Sequence, residues 1–189
     1  MLYVPASYRD DQPSPLVLML HGAGGSAERG LAPFRDIADE AGLILLAIDS
    51  RRRTWDVIVG GFGADVAFID EALALVFGRY AVDAAHLAVE GFSDGASYAL
   101  SLGITNGDLF THIAAFSPGF VVADGGQEGL PRLFISHGTR DEVLPIDRCS
   151  RRIVPLMEQA GYEVHYREFD GGHTVPPEIA HEALTWLVS

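Results

Sequence analysis

The apolar positions of this chain fall into two kinds of stretch that alternate from one end to the other. Short runs, most of them nearly continuous in apolar residues, lie at Leu2 to Val4, Leu16 to His21, Leu43 to Ile48, Leu87 to Phe92, Ile113 to Ser117, Leu133 to His137 and Glu163 to Phe169. They have the length of strands, and most leave no polar side on which water could rest. Between them apolar residues recur at helical spacing: Phe34, Ile37, Ala38 and Ala41 in one segment, Val66, Ile69, Leu73, Val76 and Phe77 in another. Further helices are expected at Ala96 to Gly103, Ile146 to Ala160 and Glu178 to Val188, the last anchored by Leu184, Trp186 and Leu187. This alternation predicts an α/β fold, a mostly parallel central sheet with helices on both faces. No repeat, low-complexity tract or long linker interrupts it, which predicts one domain over residues 1–189.

One junction in this pattern carries chemistry. Gly91-Phe92-Ser93-Asp94-Gly95 reads G-x-S-x-G, with a predicted strand directly before it and a predicted helix directly after. So abrupt a turn forces the serine into sparsely populated backbone angles and lifts its hydroxyl above the sheet, while the glycines let strand and helix approach. In that setting Ser93 is expected to be a nucleophile rather than a turn residue.

A serine hydroxyl needs a neutral imidazole to take its proton, and the imidazole needs a carboxylate on its far nitrogen. In open α/β sheets such groups come from loops at the carboxyl ends of strands. Asp141 and His173 each lie four residues past a late strand, and the chain order is serine, acid, histidine. Glu142 and Asp147 compete for the acid role, but Asp147 is better placed to open the following helix. Asp170 is too close to His173 along the chain and reads as a turn residue. The oxyanion formed on the substrate needs backbone donors. The glycine-rich stretch His21-Gly22-Ala23-Gly24-Gly25 after an apolar strand supplies one from Ala23, and Asp94 supplies the other. His21, at the strand's end, reads as a structural residue that bonds loop carbonyls.

Composition narrows the field. The 189 residues are 48% apolar, with mean hydropathy +0.18, enough for a buried core. No apolar run approaches the roughly 20 residues of a membrane span, and Met1 to Asp10 does not read as a signal peptide. One cysteine, Cys149, cannot form an internal disulfide and reads as a buried structural thiol near a helix start; with no leader, a cytoplasmic location is the expectation. A net charge of -13 repels a phosphate backbone, so nucleic acid is not an expected partner. The seven histidines show no H-E-x-x-H or H-x-x-E-H spacing, and the glycine-rich loop has no Walker lysine. Neither metal nor cofactor is expected.

H-G-A-G-G, G-F-S-D-G, H-G-T-R-D-E-V-L-P and G-G-H-T-V-P-P-E, in this order, resemble the phospholipase/carboxylesterase branch of the α/β-hydrolases, from about Leu16 onward. The resemblance implies cofactor-free hydrolysis of carboxylic esters or thioesters, with Ser93, Asp141 and His173 as the triad. Two departures stand out: Asp94 where many relatives carry glutamine, and a short front end with only Leu2 to Val4 before the first core strand. Only Pro118 to Pro131 separates Ser117 from the next strand, so no lid domain is expected, and the site should be open to short or medium soluble esters. Trp55, Phe62, Phe120 and Val121 are candidates for the acyl-pocket wall. An acyl thioesterase, a feruloyl-type or polyester-degrading esterase and a peptidase could all use this triad. A non-catalytic binding protein of the same fold would be expected to have lost a triad member. The sequence does not speak to oligomeric state.

Overall fold

The computed structural model describes residues 1–31, 34–123 and 126–188. Seven strands form one sheet: β1 (Leu2–Tyr3), β2 (Ser14–Leu20), β3 (Ile44–Ile48), β4 (Val82–Phe92), β5 (His112–Phe116), β6 (Arg132–Gly138) and β7 (Val164–Phe169). Their spatial order is β1-β3-β2-β4-β5-β6-β7, parallel throughout except for β1, which pairs antiparallel to β3 at the edge. Every strand run read from the sequence is a strand. β4 alone is much longer than its apolar run, because Val82 pairs with Ser14 across a register shift and carries the exposed residues 84 and 85 into the sheet.

The sheet is central because two separate cores press on it. Side chains alternate across a strand, so Leu16, Leu18 and Leu20 of β2 face one way and Val17 and Met19 the other. On the first face lie α4 (Ala64–Phe77), α5 (Asp94–Thr105) and α6 (Ser150–Gln159); on the second, α1 (Ala27–Leu31), α2 (Arg35–Ala41) and α7 (Pro177–Leu187). Leu184, Trp186 and Leu187 do bury the last helix. The short helices α1 and α3 (Asp56–Val59) have too few turns to show a period, and the sequence does not announce them.

The helix expected over Ile146 to Ala160 comes in two pieces. A 3-10 turn over Ile146–Arg148 breaks at Cys149, whose ψ of -106° is not helical, and α6 follows. Cys149 is buried at that break, as a structural thiol should be, and burial raises its pKa. Among the described residues no helix or strand lies between Phe116 and Arg132, so nothing of domain size covers the carboxyl ends of the strands there. No helix among them is long and apolar enough to cross a membrane.

Candidate active site

β4 stops at Phe92 and α5 begins at Asp94, leaving a single residue to turn the chain. That residue is Ser93, with φ 59° and ψ -118°, a left-handed conformation that a side-chain-bearing residue adopts only under constraint. The constraint is visible. Ser93 N–H donates to Phe116 O (2.9 Å) and Ser97 N–H returns to Ser93 O (3.1 Å), which pins both sides of the turn. A β-carbon on Gly91 would stand 2.2 Å from Gly95 O, and one on Gly95 would stand 2.1 Å from Leu20 O. Both glycines of G-x-S-x-G are therefore demanded by close packing of backbones from β4, α5 and β2.

The turn delivers Ser93 Oγ to His173, where it donates to Nε2 over 2.8 Å; Nδ1–H on the far side of the ring donates to Asp141 Oδ2 over 2.6 Å. Ser93 is 9% exposed, the His173 side chain is partly open, and the Asp141 side chain is sealed. The loops carrying acid and base are stitched together: Thr139 N–H donates to Phe169 O and Arg140 N–H to Gly171 O, both at 2.9 Å. Asp141 Oδ1 accepts Val143 N–H (2.9 Å) and Leu144 N–H (2.8 Å). Burial pushes the Asp141 carboxyl up, but the bonds from Leu144, His173 and Val143 outweigh it and leave the group below the ordinary carboxylate range. It is an ionised carboxylate poised against an imidazole. Glu142 and Asp147 play no part in this chain: the first is exposed and the second pairs with Arg151.

A second serine-histidine contact shares the same acid. His137 Nδ1 accepts from Ser150 Oγ (2.7 Å), while its Nε2–H donates to Leu144 O (2.7 Å) and stands 3.3 Å from Asp141 Oδ2. His137 and Ser150 are both completely buried, so Ser150 cannot meet a substrate. Burial lowers the His137 pKa and keeps the ring neutral. This group braces Asp141 from behind, and the sequence reading did not find it.

Across from the serine, the loop after β2 is rigidly held. His21 Nδ1–H donates to Gly22 O (2.7 Å) and its Nε2 accepts Ser50 N–H (3.1 Å), the structural role expected of it. Gly24 N–H is bonded to Arg53 O (2.8 Å) and Gly25 N–H to Gly22 O (2.9 Å). Among the described residues the Ala23 amide makes no such bond. Asp94 N–H, at the start of α5, likewise has no helical partner, since the first amides of a helix have no carbonyl before them.

Of the four residues expected at the pocket wall, Trp55 needs correction. Trp55 is fully buried: Nε1–H donates to His21 O (2.8 Å), and the ring stacks on Tyr98 (5.1 Å) and lies against His21 (5.0 Å). It is a core plug under the glycine loop because its one polar atom finds a carbonyl there. Phe62 packs edge-on to Tyr98 (5.7 Å), and Val121 packs against the first-face core. The cavity beside Ser93, about 370 Å³, is lined by none of Trp55, Phe62, Phe120 or Val121. It opens on the second face, between the glycine loop and His173, with Phe34, Phe92, Phe116 and Val175 as apolar walls. Phe92 also supports the His173 ring, with centroids 4.6 Å apart. The signal for this wall was present in the sequence, since Phe92 and Phe116 end the two strands on either side of Ser93. Among the described residues, no cluster of three or more histidine, cysteine or acidic side chains could hold a metal.

No family model matches the chain. It is 29% identical over 154 residues to a probable feruloyl esterase C of Aspergillus niger, an alignment covering 77% of this chain and 56% of that protein. The chain spans about half the length of the curated relatives it matches. Among solved structures, the esterase PE8 superposes with a TM-score of 0.80 at 21% identity, over 99% of this chain and 96% of the other. A Bacillus cereus carboxylesterase superposes with a TM-score of 0.74 at 23% identity, over 99% and 92%. The strand order, the elbow at Ser93 and these superpositions over nearly the whole chain agree: the fold of this chain is that of an α/β-hydrolase.

Proposed function

We propose that the chain is a serine carboxylesterase, with Ser93 as nucleophile, His173 as general base and Asp141 as the carboxylate that orients and stabilises the imidazolium. The observation that carries this reading is the unbroken chain of hydrogen bonds, 2.8 Å then 2.6 Å, ending on a strained serine whose neighbours Phe92 and His173 line a cavity. Ser93 Oγ attacks the ester carbonyl as His173 Nε2 takes its proton. The Ala23 and Asp94 amides receive the negative charge that develops on the carbonyl oxygen. His173 then hands the proton to the departing alkoxide, and the same groups activate water to release the acyl group from Ser93. No step needs a cofactor. With residues 118–131 too few to form a lid domain, the site suits soluble esters of modest size, and residues 1–189 act as one catalytic unit.

The feruloyl esterase names of the curated relatives support an aromatic acyl group as a narrower reading, because three phenylalanines wall the cavity. A fluorophosphonate probe should label the wild-type protein, and Ser93→Ala should abolish both labelling and hydrolysis of p-nitrophenyl esters. Labelling that survives in Ser93→Ala would overturn the assignment.

A further inference from the structure

Glu90 breaks the apolar run of β4 three residues before the nucleophile. Its neighbours Ala88 and Phe92 belong to the second face, and Glu90 points the same way, into the cavity walled by Phe34, Phe92, Phe116 and Val175. The residue is 3% exposed, and its carboxyl faces the cavity: among the described residues no hydrogen bond or ion pair engages it. A buried carboxyl without a partner is costly, and a fold with no use for one would place a hydrophobic residue there.

We propose that Glu90 is the floor of a substrate subsite and selects neutral esters whose buried arm ends in a hydroxyl group. This deepens the esterase reading and rests on Ser93 as nucleophile. Burial without a counter-charge raises the carboxyl well above its ordinary range; as an acid it has one O–H to give and a carbonyl oxygen to receive, and as a carboxylate it still accepts from an O–H. A hydroxyl matches both. An arm that fills the cavity but lacks the hydroxyl displaces solvent and leaves the acid unpaired. Glu90 lies two positions before Phe92, the last residue of the strand, so it sits below the level of Ser93 and meets the far end of a substrate arm rather than the ester itself. A cationic arm is disfavoured because Arg29 also lines the cavity and is exposed at its rim.

The test uses two matched series on the wild-type protein. In one the hydroxyl is on the acyl side (methyl 3-(4-hydroxyphenyl)propionate against methyl 3-phenylpropionate); in the other it is on the alcohol side (the acetates of 2-(4-hydroxyphenyl)ethanol and 2-phenylethanol). The expected result is a preference of at least about tenfold in kcat/KM for the hydroxylated ester in one series. The preference should fall to about 1 in Glu90→Leu, whatever happens to absolute rates, and survive in Glu90→Gln, whose amide also donates and accepts. No preference in either series, or one unchanged in Glu90→Leu, overturns the proposal. A 4-aminomethyl analogue favoured over the phenol would overturn it in favour of a cation site. Fluorophosphonate labelling of each protein is run alongside: labelled protein without hydroxyl preference defeats the Glu90 proposal alone, whereas unlabelled wild-type protein defeats the esterase reading. Should Glu90→Leu not fold, Glu90→Met takes its place with the same expected loss of preference, and a wild-type protein without preference overturns the proposal by itself.

Discussion

Thr54 Oγ1 donates a 2.6 Å hydrogen bond to Asp94 Oδ2, so the acidic residue beside the nucleophile is clamped to the loop that follows β3. The same loop holds the glycine stretch through the Arg53 carbonyl and, through Trp55, the backbone of His21. Asp65 in turn fixes the loop from below, its two oxygens accepting Arg51 N–H (2.6 Å) and Asp56 N–H (2.8 Å). Both expected oxyanion donors are thereby referenced to one scaffold.

The clamp fixes a negative charge near the place where the substrate's oxygen becomes negative. Asp94→Asn keeps an oxygen for Thr54 and removes the charge. It is expected to raise kcat/KM for a succinate half-ester relative to its neutral diester several-fold, with the gain shrinking at high salt because screening acts on charge alone. Equal ratios in the two proteins would show that the Asp94 charge does not reach the acyl group.

Trp55 offers a sharper test, because its two possible roles move different constants. As the plug seen here, Trp55→Phe strands the His21 carbonyl at about 1–3 kcal/mol, and Tm falls by roughly 2–4 °C for each kcal/mol. The loosened glycine loop then meets the oxyanion less well, so kcat falls more than KM rises. A rise in KM with unchanged kcat and Tm would restore Trp55 to the pocket wall.

Why the sequence marks the strand-end positions of Ser93, Asp141 and His173 but not the burial of Trp55 follows from what each depends on. Ser93, Asp141 and His173 sit at strand ends, and strand ends are fixed by apolar runs and glycines that any reader can locate. The pocket depends on which face of the sheet a loop folds over. Trp55 could have gone either way until Nε1 found the His21 carbonyl, a contact between residues 34 apart. Glu90 was visible as a lone acid in a buried run, but only the cavity beside it gives that acid a purpose. His137 reads simply as the last residue of a strand run; its bonds to Ser150 and Leu144 come from the turn of residues 138–149 back over β6.

His137 and Asp141 should separate in mutagenesis. Asp141→Asn leaves His173 Nδ1 facing an amide and favours the wrong tautomer, and a loss in kcat of about 10⁴ is expected. His137→Gln leaves Asp141 its bonds from Val143, Leu144 and His173, so kcat should fall only about tenfold, with about 1–3 kcal/mol of stability lost from orphaned partners. Stopped-flow acylation with p-nitrophenyl acetate measures the first and urea unfolding the second. Equal losses in kcat would mean that His137 acts in the reaction rather than behind it.

The last expectation concerns stability, and its direction follows from the raised Glu90 pKa. In the unfolded chain this carboxyl ionises near its ordinary value of 4.5. Below that pH both states hold the proton, and Glu90 adds no pH dependence. Above it the unfolded chain releases the proton while the folded protein keeps it, so stability drains away as pH rises, until the folded group also ionises. Glu90→Gln has no proton to lose in either state. All other titrating groups are common to the two proteins and cancel in their difference. The Tm of Glu90→Gln relative to wild type should therefore climb between pH 4 and pH 8. Each pKa unit of elevation is worth about 1.4 kcal/mol, and each kcal/mol about 2–4 °C. A difference that stays level across that range would mean that Glu90 titrates like a solvated carboxylate, and the acid on the cavity floor would then meet substrate as an anion, with nothing to donate to a hydroxyl.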